Sequence, residues 1–505
     1  MNIQRILLVD VELDRDSDGE DQLQGRWVHH PIGLMYLVSS VKARFPDIEF
    51  SILHTPTFSD YLGTIQNALD EFKPDLVGLR ALSMFQKQFD TVASLVRKHD
   101  PDLMLVGGGP YPSGSFKHLL ENRLLDLIVI GEGEVTFTNL IASLLQDGKI
   151  PTSLEGLAYL NSEGSATFNP EPTPIVDIDK IPFPAYDHID VKKYSGLSAQ
   201  SLQNTSESAF IYATRGCPYR CFYCSAAFSK KVRKRSGQNI VDEMAIHYHE
   251  RGVREFVFCD DIFNVPLAAS KKILTLIAKN FPDVRLNFSN GLRADQMDME
   301  FIDLLEEVGT THLAVAIETA TPRLQKMIGK YLNIDKSTVF INELSKRFVV
   351  CGFFMVGFPS ETLDEAMTTV NIAKNLPYLA QPVLSIVRIY RGTPLFDYLQ
   401  PTPEQIIQLD EQSSFALQPS LKGDENDRFY GDFFSDEQVP LKGDSIRLIR
   451  WEWAREVIFK GERIRNGHDV LQKYYNQEQI LSFYRNFLDN PNYSMEDMQQ
   501  LLRMK

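Results

Sequence analysis

The sequence is short of cysteine, has no long apolar run, and carries no surplus of positive charge. Five cysteines in 505 residues are too few for a disulfide framework and suit a reducing compartment. No apolar stretch approaches the roughly 20 residues that span a bilayer. The opening Met1-Asn-Ile-Gln-Arg-Ile-Leu-Leu-Val-Asp10 reads as a strand, not as a basic head with a long apolar leader. A cytoplasmic protein with no membrane span is therefore expected. Lys and Arg number 52 against 67 Asp and Glu, a net charge of −15, which excludes a broad nucleic-acid surface because that requires a basic face. Internal repeats and low-complexity tracts are absent. Hydrophobic residues make up 43%, which excludes global disorder, and the length accommodates two or three domains of about 100–200 residues each.

The scarce cysteines are concentrated. Cys217-Pro-Tyr-Arg-Cys221-Phe-Tyr-Cys224 places three thiols within eight residues, and only Cys259 and Cys351 lie elsewhere. A zinc site normally adds a fourth protein ligand at similar spacing, and no second C-x-x-C or H-x3-H follows. Four thiolates usually hold a [4Fe–4S] cluster, so three leave one iron open to a non-protein ligand. C-x3-C-x2-C after a strand ending Thr214-Arg-Gly resembles the radical S-adenosylmethionine (radical SAM) enzymes. The resemblance implies that Cys217, Cys221 and Cys224 bind the cluster's metal, that SAM chelates the open iron, and that a flavodoxin- or ferredoxin-type electron donor serves the cluster.

Upstream of the cysteines the apolar pattern alternates between strands and helices. Ile3–Asp10 is a buried run ending in an acid, followed by a polar loop from Val11 to Gln24 and a helix beginning at Pro31. Further strands are expected at Glu49–Leu53, Leu76–Leu79, Leu103–Val106 and Leu127–Ile130. Helices are expected near Tyr61–Phe72, Lys87–His99, Ser115–Asn122 and Thr136–Gln146. Such alternation predicts a parallel sheet covered on both faces, with the ligand beyond the carboxyl ends of its strands. Gly107-Gly108-Gly109-Pro110, with Ser113 and Gly114 just after, follows one strand, and Gly131-Glu132-Gly133-Glu134 the next. Glycine lets backbone approach a large ligand, although any tight turn between a strand and a helix also uses it.

Taken in order, Pro31-Ile-Gly-Leu-Met-Tyr-Leu37, the two glycine turns and the cysteine motif resemble the cobalamin-binding subfamily of radical SAM enzymes. That resemblance implies a second cofactor, cobalamin, held near Gly107, Gly108, Gly109, Ser113, Gly131, Glu132 and Gly133. One departure stands out: the Asp-x-His-x-x-Gly motif of other cobalamin proteins is missing from the first loop. His29 and His30 do not fit that motif and read as a polar loop at a helix start.

The expected fold is α/β: a Rossmann-like doubly wound domain (1–150), a connector (151–205), a radical SAM partial (β/α)6 barrel (206–400) and a helical C-terminal region (401–505). The connector contains a small hairpin around Asn161-Ser-Glu-Gly164 and a proline-rich stretch whose Ile175, Ile178, Ile181 and Phe183 require burial. Six barrel strands are expected at Phe210–Thr214, Glu255–Cys259, Arg285–Ser289, His312–Ile317, Phe348–Val356 and Leu384–Ile389. Barrel chemistry gathers at carboxyl ends of strands. There Asp260 or Asp261 meets the SAM amino group or the substrate, or else caps a helix. Arg293 pairs with the SAM carboxylate, or forms a structural ion pair. An acid closing an apolar strand is costly unless bonded, and by resemblance Glu318 binds the SAM ribose or amino group. Gly357-Phe-Pro359-Ser-Glu-Thr matches the family's turn along adenine, and Arg391 lies where a substrate arrives. Ser229-Lys-Lys-Val-Arg-Lys-Arg235 reads as a solvated basic face, with Arg233 or Arg235 reaching a cofactor as the alternative. Cys259 and Cys351 sit on apolar strands as core residues. The tail after residue 400 is helical, carries Trp451, Trp453, Tyr474 and Tyr475 at packing spacings, and by analogy caps the barrel and shapes the substrate pocket.

The family's chemistry implies radical methylation of an unactivated carbon of a small molecule. The alternatives are a cobalamin-linked cyclase or deoxygenase, and a radical SAM enzyme whose Rossmann-like domain holds no cobalamin.

Overall fold

The computed structural model describes residues 3–12, 28–170, 174–195, 202, 205–225, 229–411, 429–488, 490 and 492–504. The loop expected between Val11 and Gln24 falls outside these from residue 13 onward.

The first sheet contains β1 (Arg5–Val11), β2 (Glu49–His54), β3 (Leu76–Ala81), β4 (Met104–Gly108), β5 (Leu127–Val129), β6 (Leu157–Leu160) and β7 (Ala166–Phe168). Their order is β2-β1-β3-β4-β5-β6-β7. The first five are parallel, and β6 and β7 are antiparallel. The order reverses at β1, so the crevice between the ends of β1 and β3 is the topological switch point where such sheets bind ligands. Helices Ile32–Lys42 and Gly133–Asp147 cover one face, and Tyr61–Phe72 and Gln86–His99 the other. The hairpin β6–β7 was expected in the connector. It pairs with β5 instead and extends this sheet, because Leu157 and Ala158 are apolar enough to be fully buried on it.

The second sheet contains β8 (Ser208–Ile211), then, past the short antiparallel pair β9 (Thr214–Arg215) and β10 (Arg233–Lys234), β11 (Glu255–Phe258), β12 (Arg285–Leu292), β13 (Thr310–Glu318), β14 (Val349–Val356) and β15 (Gln381–Ile386). Its six parallel strands run in sequence order from β8 to β15. That is the expected six-unit open barrel. Its continuous apolar runs bury side chains on both faces, as a parallel sheet requires, and Cys259 and Cys351 are core residues.

Ile178 and Ile181 of the connector are buried with Ile32 and Tyr36 of the first helix and Phe210 and Val257 of the barrel. The connector is thus wedged between the two sheets. His29 and His30 do not form a polar loop. His30 is buried, its ring 4.5 Å from that of Tyr194 and 4.6 Å from Phe210, and burial holds its pKa well below the usual range.

The C-terminal helices take a position that the sequence did not predict. Tyr474 Oη donates to Arg347 O at 2.6 Å, just before β14, and Arg463 Nη1 to Leu379 O at 3.2 Å, just before β15. The helices therefore close the amino ends of the barrel strands, opposite the cysteine motif. Trp453 is buried against Phe354, whereas Trp451 is half exposed beneath Arg455. The tail also reaches the chemical end, through 429–438 among the described residues: Tyr430 Oη donates to Gly357 O at 2.6 Å, and Ser360 N to Gln438 O at 2.9 Å.

Candidate functional site

The cysteine loop is held from three directions. Cys217 N donates to Ser229 O at 3.0 Å, Phe222 N to Ile328 O at 3.0 Å, and Leu395 N to Phe222 O at 2.9 Å. Gly216 adopts φ +88°, and a Cβ there would lie 2.6 Å from Lys231 O. Only glycine allows the chain to turn this tightly into the first cysteine. All three thiols are free, with Cys217 and Cys221 half-buried and Cys224 exposed. Burial raises the Cys217 thiol, and it pushes Cys221 up to about 11, with Lys330 countering and Glu318 adding to the rise. Thiols bind a metal as thiolates, and the positive charge of a metal centre favours that form. The loop therefore fits an iron–sulfur cluster.

Glu318 closes β13 where the register with β14 shifts, and it adopts φ +65°. This conformation is rare for a residue with a Cβ, and such strain gathers at functional sites. Its Oε1 accepts from Tyr223 Oη, inside the cysteine motif, and from Lys330 Nζ, both at 2.9 Å. The acid predicted from the sequence is thus beside the cluster loop. Lys330, which follows a helix at the far side of that loop, was not predicted.

The two aspartates after β11 separate. Asp260 is buried, and its Oδ1 accepts from Thr214 N and, at 2.6 Å, from Thr214 Oγ1. Burial pushes its carboxyl up to about 7 against the Thr214 bonds, while Asp261 adds to the rise, and Oδ2 is buried without a partner among the described residues. Asp261 is exposed to the cleft between the sheets, beside the Gly216 N–H and the charges of Glu132, Lys230 and Arg215. Desolvation in that cleft raises it too.

Several sequence-predicted site residues are engaged by protein groups. Arg293 is buried and engaged: its guanidinium bonds Asp295 at 2.7 Å, Lys330 O at 2.9 Å and Tyr331 O at 3.0 Å, and it stacks 3.8 Å over Tyr219. It forms the structural ion pair and offers no free fork to a SAM carboxylate. Gly357 has both backbone groups taken, its N–H by Glu361 at 2.6 Å and its C=O by Tyr430. With Pro359 buried, this turn offers adenine a surface but no hydrogen bond from Gly357. Gly107 and Gly133 are packing glycines, since a Cβ would lie 2.5 Å from Leu125 Cδ1 and 2.8 Å from Leu37 Cδ2. Glu132 faces protein cations: it binds Arg233, with Arg215 Nη1 at 3.8 Å.

The remaining glycine-edge residues fit a bulky ligand. A Cβ on Gly108 would meet only Val129 O, at 3.9 Å. Gly109 and Gly131 turn with φ +85° and +83°. Ser113 Oγ is buried without a partner among the described residues. At the switch point, Arg80 at the end of β3 lies 2.8 Å from Asp10 and 3.5 Å from Glu12, while His54 at the end of β2 lies 3.3 Å from Glu12. This group was not predicted; it gathers residues from the ends of three strands, with Asp10 and Glu12 both from the end of β1.

The basic run after the cysteines is not a solvated face. Arg233 of the short strand β10 and Arg235 just after it are buried: Arg233 binds Glu132 and Ile175 O, and Arg235 binds Glu243 and Tyr212 O. Arg215, in the strand that enters the motif, pairs with Glu134 at 2.6 Å. Arg391 pairs with Asp410, and a Cβ on Gly114 would lie 2.5 Å from Arg391 O. The glycine edge of the first sheet therefore abuts the carboxyl end of the second.

Comparison with known proteins agrees with this geometry. Residues 211–373 match the Radical SAM superfamily, and residues 26–141 match the B12 binding domain. An uncharacterised methyltransferase of Pyrococcus horikoshii is 29% identical over 376 residues, 73% of this chain and 78% of that protein. The anaerobic magnesium-protoporphyrin IX monomethyl ester cyclase of Rubrivivax gelatinosus is 24% identical over 420 residues, 81% and 72%. Among solved structures, the radical SAM methyltransferase TsrM of Kitasatospora setae, with cobalamin and a [4Fe–4S] cluster bound, superposes with a TM-score of 0.61 at 20% identity, covering 79% of this chain and 75% of that one. At that identity the likeness is one of fold. No helix of the described residues is long and apolar enough to cross a membrane.

Proposed function

The chain belongs to the radical SAM enzymes that carry a B12 binding domain, and on that premise we propose that it methylates an unactivated carbon of a small-molecule substrate. The observation that carries this reading is the seam itself. Arg215, two residues before Cys217, is paired with Glu134 of the turn that follows β5. The open glycine edge thereby faces the same cleft as the cysteine loop. Two cofactors with their reactive ends in one enclosed cleft are what radical methyl transfer requires.

Bound cluster, SAM and cobalamin supply the radical and the methyl group; the protein supplies binding, orientation and exclusion of water. Cys217, Cys221 and Cys224 hold the cluster. Glu318, fixed by Tyr223 and Lys330, receives the SAM ribose or amino group. Asp261, at the cleft, receives the SAM amino group or the substrate. Gly108, Gly109, Ser113 and Gly131 accommodate the corrin. The connector, at 151–205 by the division drawn from the sequence and buried at Ile178 and Ile181, keeps the Rossmann-like and barrel units (1–150 and 206–400) in one register. An electron donor of the flavodoxin or ferredoxin type delivers electrons from outside.

The likeness to magnesium-protoporphyrin cyclases over 81% of the chain favours one second reading, ring closure without methylation. Product analysis of the anaerobic reaction separates the two. Methylation yields S-adenosylhomocysteine together with 5′-deoxyadenosine, and cyclisation yields 5′-deoxyadenosine alone.

A further inference from the structure

The charged group at the end of β1 has no part in the cofactor assignments made above. We propose that Asp10, Glu12 and His54 bind a divalent transition-metal ion, which takes the place of the Arg80 guanidinium between the two acids. The site does not depend on the methylation reading.

The register of the first sheet assembles the donors. Asp10 stands opposite His54 of β2 on one side and Arg80 of β3 on the other. Glu12 comes two residues later, so strand alternation returns it to the face of Asp10, and Arg80 reaches both acids. Glu12 N donates to Thr55 Oγ1 at 3.0 Å, which fixes the chain just past β1. One oxygen of each acid and one nitrogen of His54 lie within 4.8 Å of one another. Ligands about 2.0–2.2 Å from a tetrahedral ion stand roughly 3.3–3.6 Å apart, and His54 Nε2 lies 3.3 Å from Glu12 Oε2.

Two imidazoles point to a ligand between them and the acids. His54 is 3% exposed, and its Nε2 makes no hydrogen bond among the described residues. Its Nδ1 meets Tyr194 Oη at 3.0 Å. A proton on Nδ1 leaves Nε2 with the lone pair that a metal takes, and an outer partner of this kind orients a metal-binding histidine. His29 Nε2 is likewise buried without a partner among the described residues, and His29 interacts electrostatically with both Glu12 and His54. It supplies a fourth donor.

Charge favours the exchange of cations. With His54 neutral, two carboxylates against one guanidinium leave an excess negative charge, which is costly where it is buried. A divalent ion balances both acids. Arg80 keeps 27% of its side chain exposed, so it has a route to solvent. Imidazole and carboxylate without thiolate suit manganese, iron(II) or zinc.

Mn²⁺ is the probe, because it prefers these donors to thiolates. The full-length protein with its oxidised iron–sulfur cluster is titrated with Mn²⁺. Free ion is read by electron paramagnetic resonance, and bound ion by the spin-echo modulation of directly coordinated imidazole nitrogen. One tight Mn²⁺ per chain with that modulation is expected. His54→Gln should weaken it about tenfold or more, and His29→Gln/His54→Gln should lose the nitrogen signal. Arg80→Gln removes the competing cation, so it should bind Mn²⁺ more tightly than the wild type and gain melting temperature from it. If His54→Gln does not fold, Tyr194→Phe, which keeps every donor, should retain the nitrogen signal at weaker affinity. No bound Mn²⁺, bound Mn²⁺ without nitrogen modulation, or modulation that survives in the double variant overturns the site and leaves a salt-bridge network only. Arg80→Gln binding no more tightly overturns the exchange of cations. Failure of the methylation reading is seen separately, in the absence of S-adenosylhomocysteine.

Discussion

Arg215 Nη1 lies 2.6 Å from Glu134 Oε1, across the junction between the two sheets. The arginine belongs to the strand that enters the cysteine motif, and the glutamate to the helix start after the second glycine turn. Arg215 also stacks on Tyr36 at 4.8 Å, and Arg233 binds Glu132 beside it. The two cofactor ends are thus joined by a partly buried group of two acids and two arginines.

Removing one partner of a buried pair leaves an uncompensated charge, whereas removing both does not. Glu134→Ala is therefore expected to lower stability by about 3 kcal/mol. The double variant Arg215→Ala/Glu134→Ala is expected to lose less than the sum of the two single changes. Urea unfolding of the four proteins checks this.

Glu361 gives a pH dependence with a definite sign. Burial raises its carboxyl to about 8, while the N–H groups of Phe358 and Gly357 pull it back. The folded form holds the proton more tightly than the unfolded chain, so this contribution is fully present below the ordinary 4.5 and is lost as pH rises through about 8. Glu361→Gln still accepts both N–H bonds but does not ionise. Its melting temperature should match the wild type near pH 4 and exceed it by a margin that grows as pH rises toward about 8, measured by calorimetry.

Much of this site was legible because its chemistry is local. Three cysteines in eight residues, an acid closing an apolar strand and glycines at strand ends are one-dimensional signals, and the six strands of the second sheet followed from apolar runs. What was not legible depends on pairing across the chain. Arg233 and Arg235 looked solvated because the dense charge gave no sign of their partners, Glu132 and Glu243, and the strand there is only two residues long. Arg293 resembled a carboxylate binder because its partners, the Lys330 and Tyr331 carbonyls, lie 37 and 38 residues away. The helical tail was misplaced because amphipathic helices show which face is buried, not which end of a barrel they cover.

The contact between Gly114 and Arg391 predicts a contrast between two glycines. A Cβ on Gly114 would lie 2.5 Å from a backbone oxygen, which cannot yield, whereas a Cβ on Gly33 meets nothing within 4 Å. Gly114→Ala should destabilise the seam and speed cleavage in limited proteolysis. Gly33→Ala, near the start of helix Ile32–Lys42, should be neutral or stabilising by up to about 1 kcal/mol.

Tyr430 Oη is the hydrogen-bond partner of the Gly357 carbonyl at 2.6 Å, deep in the core. Tyr430→Phe leaves that carbonyl buried and unpaired and is expected to cost about 1–3 kcal/mol, read as a lowered unfolding midpoint. No loss would mean that the 429–438 segment does not secure this turn.

The central claim is that one cleft holds both a cluster and a corrin. Anaerobic reconstitution with iron, sulfide and cobalamin, followed by desalting, metal analysis and an ultraviolet–visible spectrum, tests it most directly. The account predicts about four irons per chain together with one corrin, and it predicts that the triple Cys217→Ala/Cys221→Ala/Cys224→Ala variant loses the iron while keeping the corrin. Wild-type protein that retains its iron but no corrin would contradict it.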